Sequence, residues 1–405
     1  MRRPSVSTVT VLDLLGFDPF APDFLRAPYR RYRELREQGP LFRTPAGMWL
    51  ATGYAPCAAL LRDPRFGHGE GPPGRNRGAR SFLTMDPPDH TRLRALVSRA
   101  FTARMIERLR PRISVIAEEL VGGMSGEVDL ISALAYPLPV RVISEMLGVP
   151  PEDQARFQGW SESLARGLDP DFLLPEKMLA ERDAAREEFH AYFAELLVRR
   201  RAEPGGDLLS ALVTADELTT EELLSTCVLL LVAGHETTVN LIGNGALALL
   251  RHGALHRFDE GGEGHERHER HERNTAKAVE ELLRYDPPVQ LTLRFALEDV
   301  ELCGTPIREG EAVMALLGAA NRDPEVFADP DRLDLDRGPV RHLAFGLGAH
   351  FCLGAPLARL EGSVALSALA TAAPDLALVD ATPPYKENLT LRGLAALPVR
   401  LGPPA

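Results

Sequence analysis

The chain is short of cysteine, has no basic excess and contains no long apolar run, and each shortage removes a class of protein. Only Cys57, Cys227, Cys303 and Cys352 occur in 405 residues, and none forms a close Cys-x-x-Cys pair. So sparse a set does not make a disulfide scaffold, and it fits a reducing cytoplasm. The formal net charge is −11. Nucleic-acid binders normally carry a basic surface, so no nucleic-acid partner is expected. A local basic patch for a small acidic protein remains compatible with that charge. The longest apolar run, Cys227 to Gly234, falls well short of the roughly 20 residues of a membrane span. The opening residues have no sustained apolar stretch followed by a small-residue cleavage site, so no signal peptide is read. No Ser/Gly linker divides the chain and no repeat of solenoid length is visible. The expectation is a soluble cytoplasmic monomer without a membrane partner.

What is present is an ordinary globular balance, 45 % hydrophobic and 25 % charged, enough for a sizeable core. A helix is expected at Tyr29 to Gln38, and a Gly/Pro/Arg-rich loop at Phe66 to Arg80. Pro87 and Pro88 stop whatever precedes them, and Asp89 is placed to cap the helix that follows. From about Pro111 to Leu250 apolar residues recur at three- and four-residue spacing, the helical period. The clearest element begins at Thr219, where Thr219 and Glu222 fit a capping box. It runs on to His252, apolar on most sides, as a helix crossing the centre of a large domain would. The charged run HERHERHER, within Arg257 to Arg273, reads as a solvated helix or loop; its histidines could take up a metal only adventitiously. A helix is predicted at Thr275 to Tyr285, two strands within Val300 to Leu316, a last helix at Pro356 to Thr371, and strand character near Leu389 to Leu401. The fold class is mainly α with a minor β part.

The most informative segment is Phe345-Gly-Leu-Gly-Ala-His350-Phe-Cys352-Leu-Gly354. Its glycines permit tight turns and close backbone approach to something flat. Cys352 sits just before a helix, whose free N–H groups and partial positive charge favour the thiolate, the metal-binding form. A haem iron held by such a thiolate receives electron density that assists O–O cleavage. Two plainer readings stand beside it. A lone cysteine is usually a buried core residue, and a zinc site on His350 and Cys352 lacks further ligands at metal spacing.

This segment resembles the cytochrome P450 haem signature, Phe-Gly-x-Gly-x-His-x-Cys-x-Gly, at every fixed position. With HTRLR and AGHETT elsewhere, the similarity runs over nearly the whole chain and has the style of soluble actinobacterial members. It implies one domain over residues 1–405 with the P450 fold, and haem b as cofactor with Cys352 as the axial iron ligand. It further implies haem contacts from Phe345, Gly346, His350 and Gly354, and from Ala233 and Gly234 on the long helix.

Ala233-Gly-His-Glu-Thr-Thr238 sets a charge and two hydroxyls into an otherwise apolar helix, which is costly unless used or paired. By resemblance, Glu236 and Thr237 relay protons to iron-bound dioxygen. His90 and Arg94 share one helix face; with Arg294 and His350 the resemblance makes them the propionate clamp. Glu281 and Arg284 lie one helical turn apart, and the resemblance adds Arg332 as a second arginine supporting the cysteine loop. The implied activity is a monooxygenase that hydroxylates a lipophilic small molecule in secondary metabolism with O2. Electrons would come from NAD(P)H through ferredoxin reductase and ferredoxin, with Arg92, Arg99 and Arg104 offering charge to the ferredoxin. The rival readings are a peroxide-driven peroxygenase and a non-catalytic scaffold or haem sensor.

Overall fold

The computed structural model describes residues 15–69, 81–166, 168–169, 174–215, 217–259 and 265–402. Helices α1 (Pro22–Arg26) and α2 (Pro28–Glu37) open it, each with proline in the first turn, where no backbone donor is needed. Strands β1 (Leu41–Arg43) and β2 (Trp49–Ala51), helix α3 (Tyr54–Arg62) and strand β3 (Phe66–Gly67) follow. The helical body comprises α4 (Asp89–Ala100), α5 (Ala103–Gly122), α6 (Pro137–Met146), α7 (Gln154–Arg166), α8 (Glu176–Ala202), α9 (Leu208–Ala215), α10 (Thr220–Arg251) and α11 (His265–Tyr285); strand β4 (Glu127–Asp129) lies within it. Strands β5 (Leu291–Ala296), β6 (Val300–Leu302), β7 (Thr305–Ile307) and β8 (Ala312–Leu316), the short α12 (Leu317–Ala320), helix α13 (Ala355–Ala372) and strands β9 (Ala377–Leu378) and β10 (Pro398–Arg400) complete it. Helices dominate and the sheets are minor, as composition and periodicity suggested.

The largest sheet has the order β1-β2-β8-β5-β3, with β2 and β8 parallel and its other pairs antiparallel. The segment 300–316 was expected to hold two strands and holds three. Gly304 and Gly310 both adopt φ +80°, so the chain turns twice, and β8 leaves β7 to pair with β5. Asp89 does not cap α4: Pro88 is the N-cap residue and Asp89 the first helical one. Residues 70–80 of the glycine-rich stretch lie outside the described residues, as do the side chains of His265 and His268. His271, in the same run, meets Ser367 at 3.2 Å, and the run is helical from His265 onward.

Helix α10 organises the body. Thr219 Oγ1 accepts the Glu222 N–H and the Glu222 carboxylate accepts the Thr219 N–H, closing the capping box. Its 32 residues extend about 48 Å at 1.5 Å per residue. By length and composition it could cross a membrane, yet 78 % of its apolar stretch is buried inside the protein. It packs against α6, α7, α8, α11 and α13; Leu231, Val239, Ile242 and Leu249 are fully buried there.

A second anchor lies beside α13. Glu281 receives two 2.7 Å hydrogen bonds from Arg284, and both side chains are essentially unexposed. The second arginine on this carboxylate is Arg337, with Nε 3.1–3.2 Å from both oxygens. Arg332 does not fill that role. The turn starting at Asp329 points the Arg332 carbonyl inward, where it accepts from Arg284 at 3.0 Å. The Arg332 side chain points out, 67 % exposed, and among the described residues its ion pair is with Asp334 at 3.5 Å. The Asp334 N–H also donates to Glu281, so one carboxylate gathers the 330–337 segment that leads to the cysteine loop. Arg337→Ala leaves a buried charge short of a partner and should cost roughly 2–4 kcal/mol. Arg332→Ala should change stability by less than about 0.5 kcal/mol. Denaturant melts of the two variants check the assignment.

Candidate active site

A cavity of about 1740 Å³ lies between α10 and the cysteine loop. Ala233, Gly234, Thr237 and Thr238 of α10 bound it, as do Phe345, Gly346, His350, Cys352 and Gly354 of the loop. Leu229, Leu230, Phe82, Val289, Leu291 and Leu391 form apolar wall, with Thr390 beside them. Ala46 to Met48, Ile143, Asp169 and Glu309 to Ala312 also line it. Asp169 is buried, and its carboxylate accepts the N–H groups of Leu389 and Thr390. Burial pushes its pKa up despite those bonds.

The loop is built by tight turns. Gly346 and Gly348 have φ +68° and +69°. A Cβ on Gly348 would fall 2.3 Å from the Leu61 carbonyl at the end of α3, so only glycine fits that crossing. The Cys352 N–H donates to the Phe345 carbonyl at 2.9 Å, which folds the loop back on itself beside the thiol. Arg359, seven residues on, stacks its guanidinium 4.5 Å from the Phe345 ring centre and bonds Glu280 of α11 at 2.6 and 3.0 Å. Burial pushes the Cys352 thiol up, and this outweighs the Gly354 and Ala355 N–H groups and the Arg94 and Arg359 charges, which pull it down. The helix terminus therefore acts as expected without setting the net direction in the free thiol; a coordinating metal deprotonates a thiol outright.

At one edge of the cavity cations collect. Arg294 is almost fully buried, its Nη1 donating to Thr292 Oγ1 and the Leu293 carbonyl at 2.8 Å each. Burial lowers its pKa to about 10. Arg94 donates to the Phe351 carbonyl. Neither arginine has a carboxylate within 4 Å among the described residues. His350 lines the cavity, with the His90 ring 4.1 Å and the His68 ring 4.9 Å from its own. Burial, then Arg294 and the two other histidines, lower the His350 pKa to about 3. His90 lies behind His350 rather than on the cavity wall, and both its ring nitrogens are buried without a hydrogen-bond partner. A soft sulfur donor, apolar walls and an edge of cations awaiting anions fit haem with its two propionates. His68 was missed because it lies outside the HTRLR motif.

On α10, Thr237 and Glu236 diverge. Thr237 faces the cavity and its hydroxyl donates to the Ala233 carbonyl at 2.9 Å, one turn back. Glu236 is buried off the cavity wall, 2.9 Å from Lys386 Nζ. His235, which precedes Glu236, is fully buried against Ser161 and the Leu231 carbonyl. A second carboxylate, Glu361 of α13, is 1 % exposed with one oxygen unpartnered. Burial pushes it up to about 8 against the Thr238 hydroxyl bond. Neither Lys386 nor Glu361 has a signal in the sequence, because each acquires its meaning from a contact made by folding.

These features define a haem enzyme site on a mainly helical fold. The cytochrome P450 family model matches residues 270–370. The chain is 44 % identical to cytochrome P450 monooxygenase PikC of Streptomyces venezuelae, over 99 % of this chain and 97 % of that protein. It is 42 % identical to the vitamin D(3) 25-hydroxylase of Pseudonocardia autotrophica, over 95 % and 96 %. The ligand-free crystal structure of CYP164A2 from Mycobacterium smegmatis superposes with a TM-score of 0.86 at 42 % identity, covering 94 % of this chain and 98 % of that one. The chain belongs to the cytochrome P450 family. It is a monooxygenase whose cofactor is haem b.

Glu361 generates a linkage prediction. Its folded pKa, about 8, lies above the unfolded value of about 4.3. The folded state then holds the extra proton, and stability falls as pH rises through that window. Glu361→Gln should flatten stability between pH ~5 and ~8, read by thermal melts across pH; an unchanged slope would assign the dependence elsewhere.

Proposed function

We propose that Cys352 would hold the haem iron through its sulfur, and that the enzyme hydroxylates a lipophilic natural product. The observation that carries this reading is the Cys352 thiol in the wall of the cavity that Ala233, Gly234 and Thr237 also bound, with Arg94 and Arg294 uncompensated at its edge. Residues 1–405 act as one domain, a cytoplasmic monomer. When bound, haem supplies activation of dioxygen and insertion of one oxygen atom into a C–H bond.

The chain's own residues do the rest. Arg94, Arg294 and His350 would hold the propionates, with His90 packed behind His350. Ala233 and Gly234 let the flat cofactor approach α10, and Phe345, Gly346 and Gly354 shape the loop around the sulfur. Leu229, Leu230, Val289, Leu291 and Leu391 exclude water and favour an apolar substrate. Thr237 hands a proton into the cavity and Glu236 replaces it, with water spanning the gap between their diverging side chains. Retention of this acid–alcohol pair favours the dioxygen route over a peroxide-driven one or a non-catalytic role.

Electrons come from NAD(P)H through ferredoxin. The basic residues offered for docking are partly engaged already: Arg92 pairs with Glu222, and Arg99 with Glu217 at 3.0 Å. Arg92→Glu places like charges together and should raise the apparent KM for ferredoxin; an unchanged KM removes Arg92 from that surface.

Two variants test the core of the proposal. Reduced wild-type protein with carbon monoxide should give the red-shifted band of a thiolate-ligated haem, and Cys352→Ser should lose it. Thr237→Ala should raise the peroxide released per NADPH oxidised by roughly tenfold, a modest part of what a positioned proton donor contributes. An unchanged peroxide yield would remove Thr237 from proton delivery.

A further inference from the structure

Glu236 is held from outside the helix that carries it. Along α10, Glu236, Asn240 and Asn244 follow at four-residue spacing, so they form one polar stripe on a helix that is otherwise apolar. The stripe is covered by the loop 385–394, which the Tyr385–Leu394 bridge closes. Asn244 Nδ2 donates to the Arg392 carbonyl at 3.0 Å. Asn240 packs so closely on Gly393 that a Cβ there would lie 1.8 Å from its Oδ1. Lys386 completes the docking: its N–H donates to the Gly393 carbonyl at 2.9 Å, and its ammonium reaches Glu236 Oε2 at 2.9 Å.

The Glu236 side chain is 6 % exposed and that of Lys386 is 30 % exposed, so this ion pair runs from the solvent edge to a buried carboxylate. The other group near Glu236, His235 Nε2 at 3.9 Å, carries no counter-charge. Burial lowers the pKa of His235, its Nδ1 meets the Leu231 carbonyl at 2.6 Å, and its ring contacts the Ser161 hydroxyl. Among the described residues Lys386 is therefore the one cation paired with this carboxylate. A cleft of about 20 Å³ borders Lys386, lined by it with Gln290, Asn388 and Arg392 and by apolar residues such as Phe24 and Leu389, and has room for about one water.

We propose that Lys386 is a positioning residue for proton delivery. Its ammonium fixes the Glu236 carboxylate at the inner end of a solvent-linked ion pair, where Glu236 takes a proton from water. The proton then passes to Thr237 Oγ1 as the Thr237 hydroxyl, turned from the Ala233 carbonyl, gives its own into the cavity. Only O–H bonds form and break, and each proton leaving Thr237 is replaced from bulk water. This inference rests on the roles of Glu236 and Thr237 proposed above.

The test uses the holoenzyme reduced by NADPH through a plant-type ferredoxin and its reductase, without added substrate, and reads peroxide released per NADPH oxidised. Ferredoxin and reductase are held at the same saturating concentrations for every variant, so electron supply is common to all. Lys386→Met should raise it by roughly tenfold, and Lys386→Arg should restore it, since it keeps the charge. Glu236→Gln should raise it as much as Lys386→Met. The double variant should be no worse than either single one, because both act through one group. A merely structural role makes a different forecast. Lys386→Met would then lower thermal stability by stranding a buried charge while the ratio stays at its wild-type value, because Glu236 still delivers protons. A wild-type ratio in Lys386→Met, or a double variant worse than Glu236→Gln alone, would overturn the proposal. If Lys386→Met does not accumulate as holoenzyme, the comparison of Lys386→Arg, Lys386→Gln and the double variant decides the same question. Thr237→Ala separates the two levels: a raised ratio there with none in Lys386→Met rejects Lys386 alone, whereas no change in Thr237→Ala rejects the relay itself.

Discussion

On the proposed reading, a single thiol must stand beside a cavity at a place fixed well enough for a metal to find it. Cys352, part-exposed on that cavity, would meet the demand through its surroundings rather than through its own chemistry. Glycine turns at Gly346 and Gly348 bend the loop, the Phe345 carbonyl takes the Cys352 N–H, and Arg359 clamps the Phe345 ring from α13. The Glu281, Arg284 and Arg337 cluster holds the segment that feeds the loop. Burial alone disfavours the thiolate; a positive metal reverses that preference, so the buried wall suits a ligated sulfur better than a free one.

The opposite wall follows a different rule. Helix α10 is apolar because it runs through the core, and two groups of its polar residues border other parts of the protein. Thr237 and Thr238 border the cavity. Glu236, Asn240 and Asn244 face the C-terminal loop. One helix thus presents its hydroxyls to the reaction space and its carboxylate to a solvent-linked lysine, and the two faces meet at adjacent residues. Charge at the cavity edge is unbalanced: part-exposed Arg94 and buried Arg294 border it with no carboxylate within 4 Å among the described residues, which is unfavourable for the buried Arg294 unless an anion arrives.

Local signals carried much of this. The capping box at Thr219, the long apolar period after it and the glycine spacing around Cys352 are short-range patterns, and the elements they imply are present. The strand count between Val300 and Leu316 was misread because a turn at Gly310 looks the same whether the chain pairs with its neighbour or leaves it. Arg332 was taken for Arg337 for a related reason. Both lie in an irregular segment without a period, and only the three-dimensional turn shows which side chain comes back to Glu281. Lys386, 150 residues from Glu236, had no pattern to betray it.

The most direct measurement is resonance Raman spectroscopy of the oxidised holoenzyme made with natural and with heavy-sulfur cysteine. An iron–sulfur stretch that moves to lower frequency on labelling is the expected result, and it should vanish in Cys352→Ser. A spectrum with no label-sensitive band, or one showing imidazole bound to the iron, would contradict sulfur ligation and leave the oxygen chemistry without its foundation.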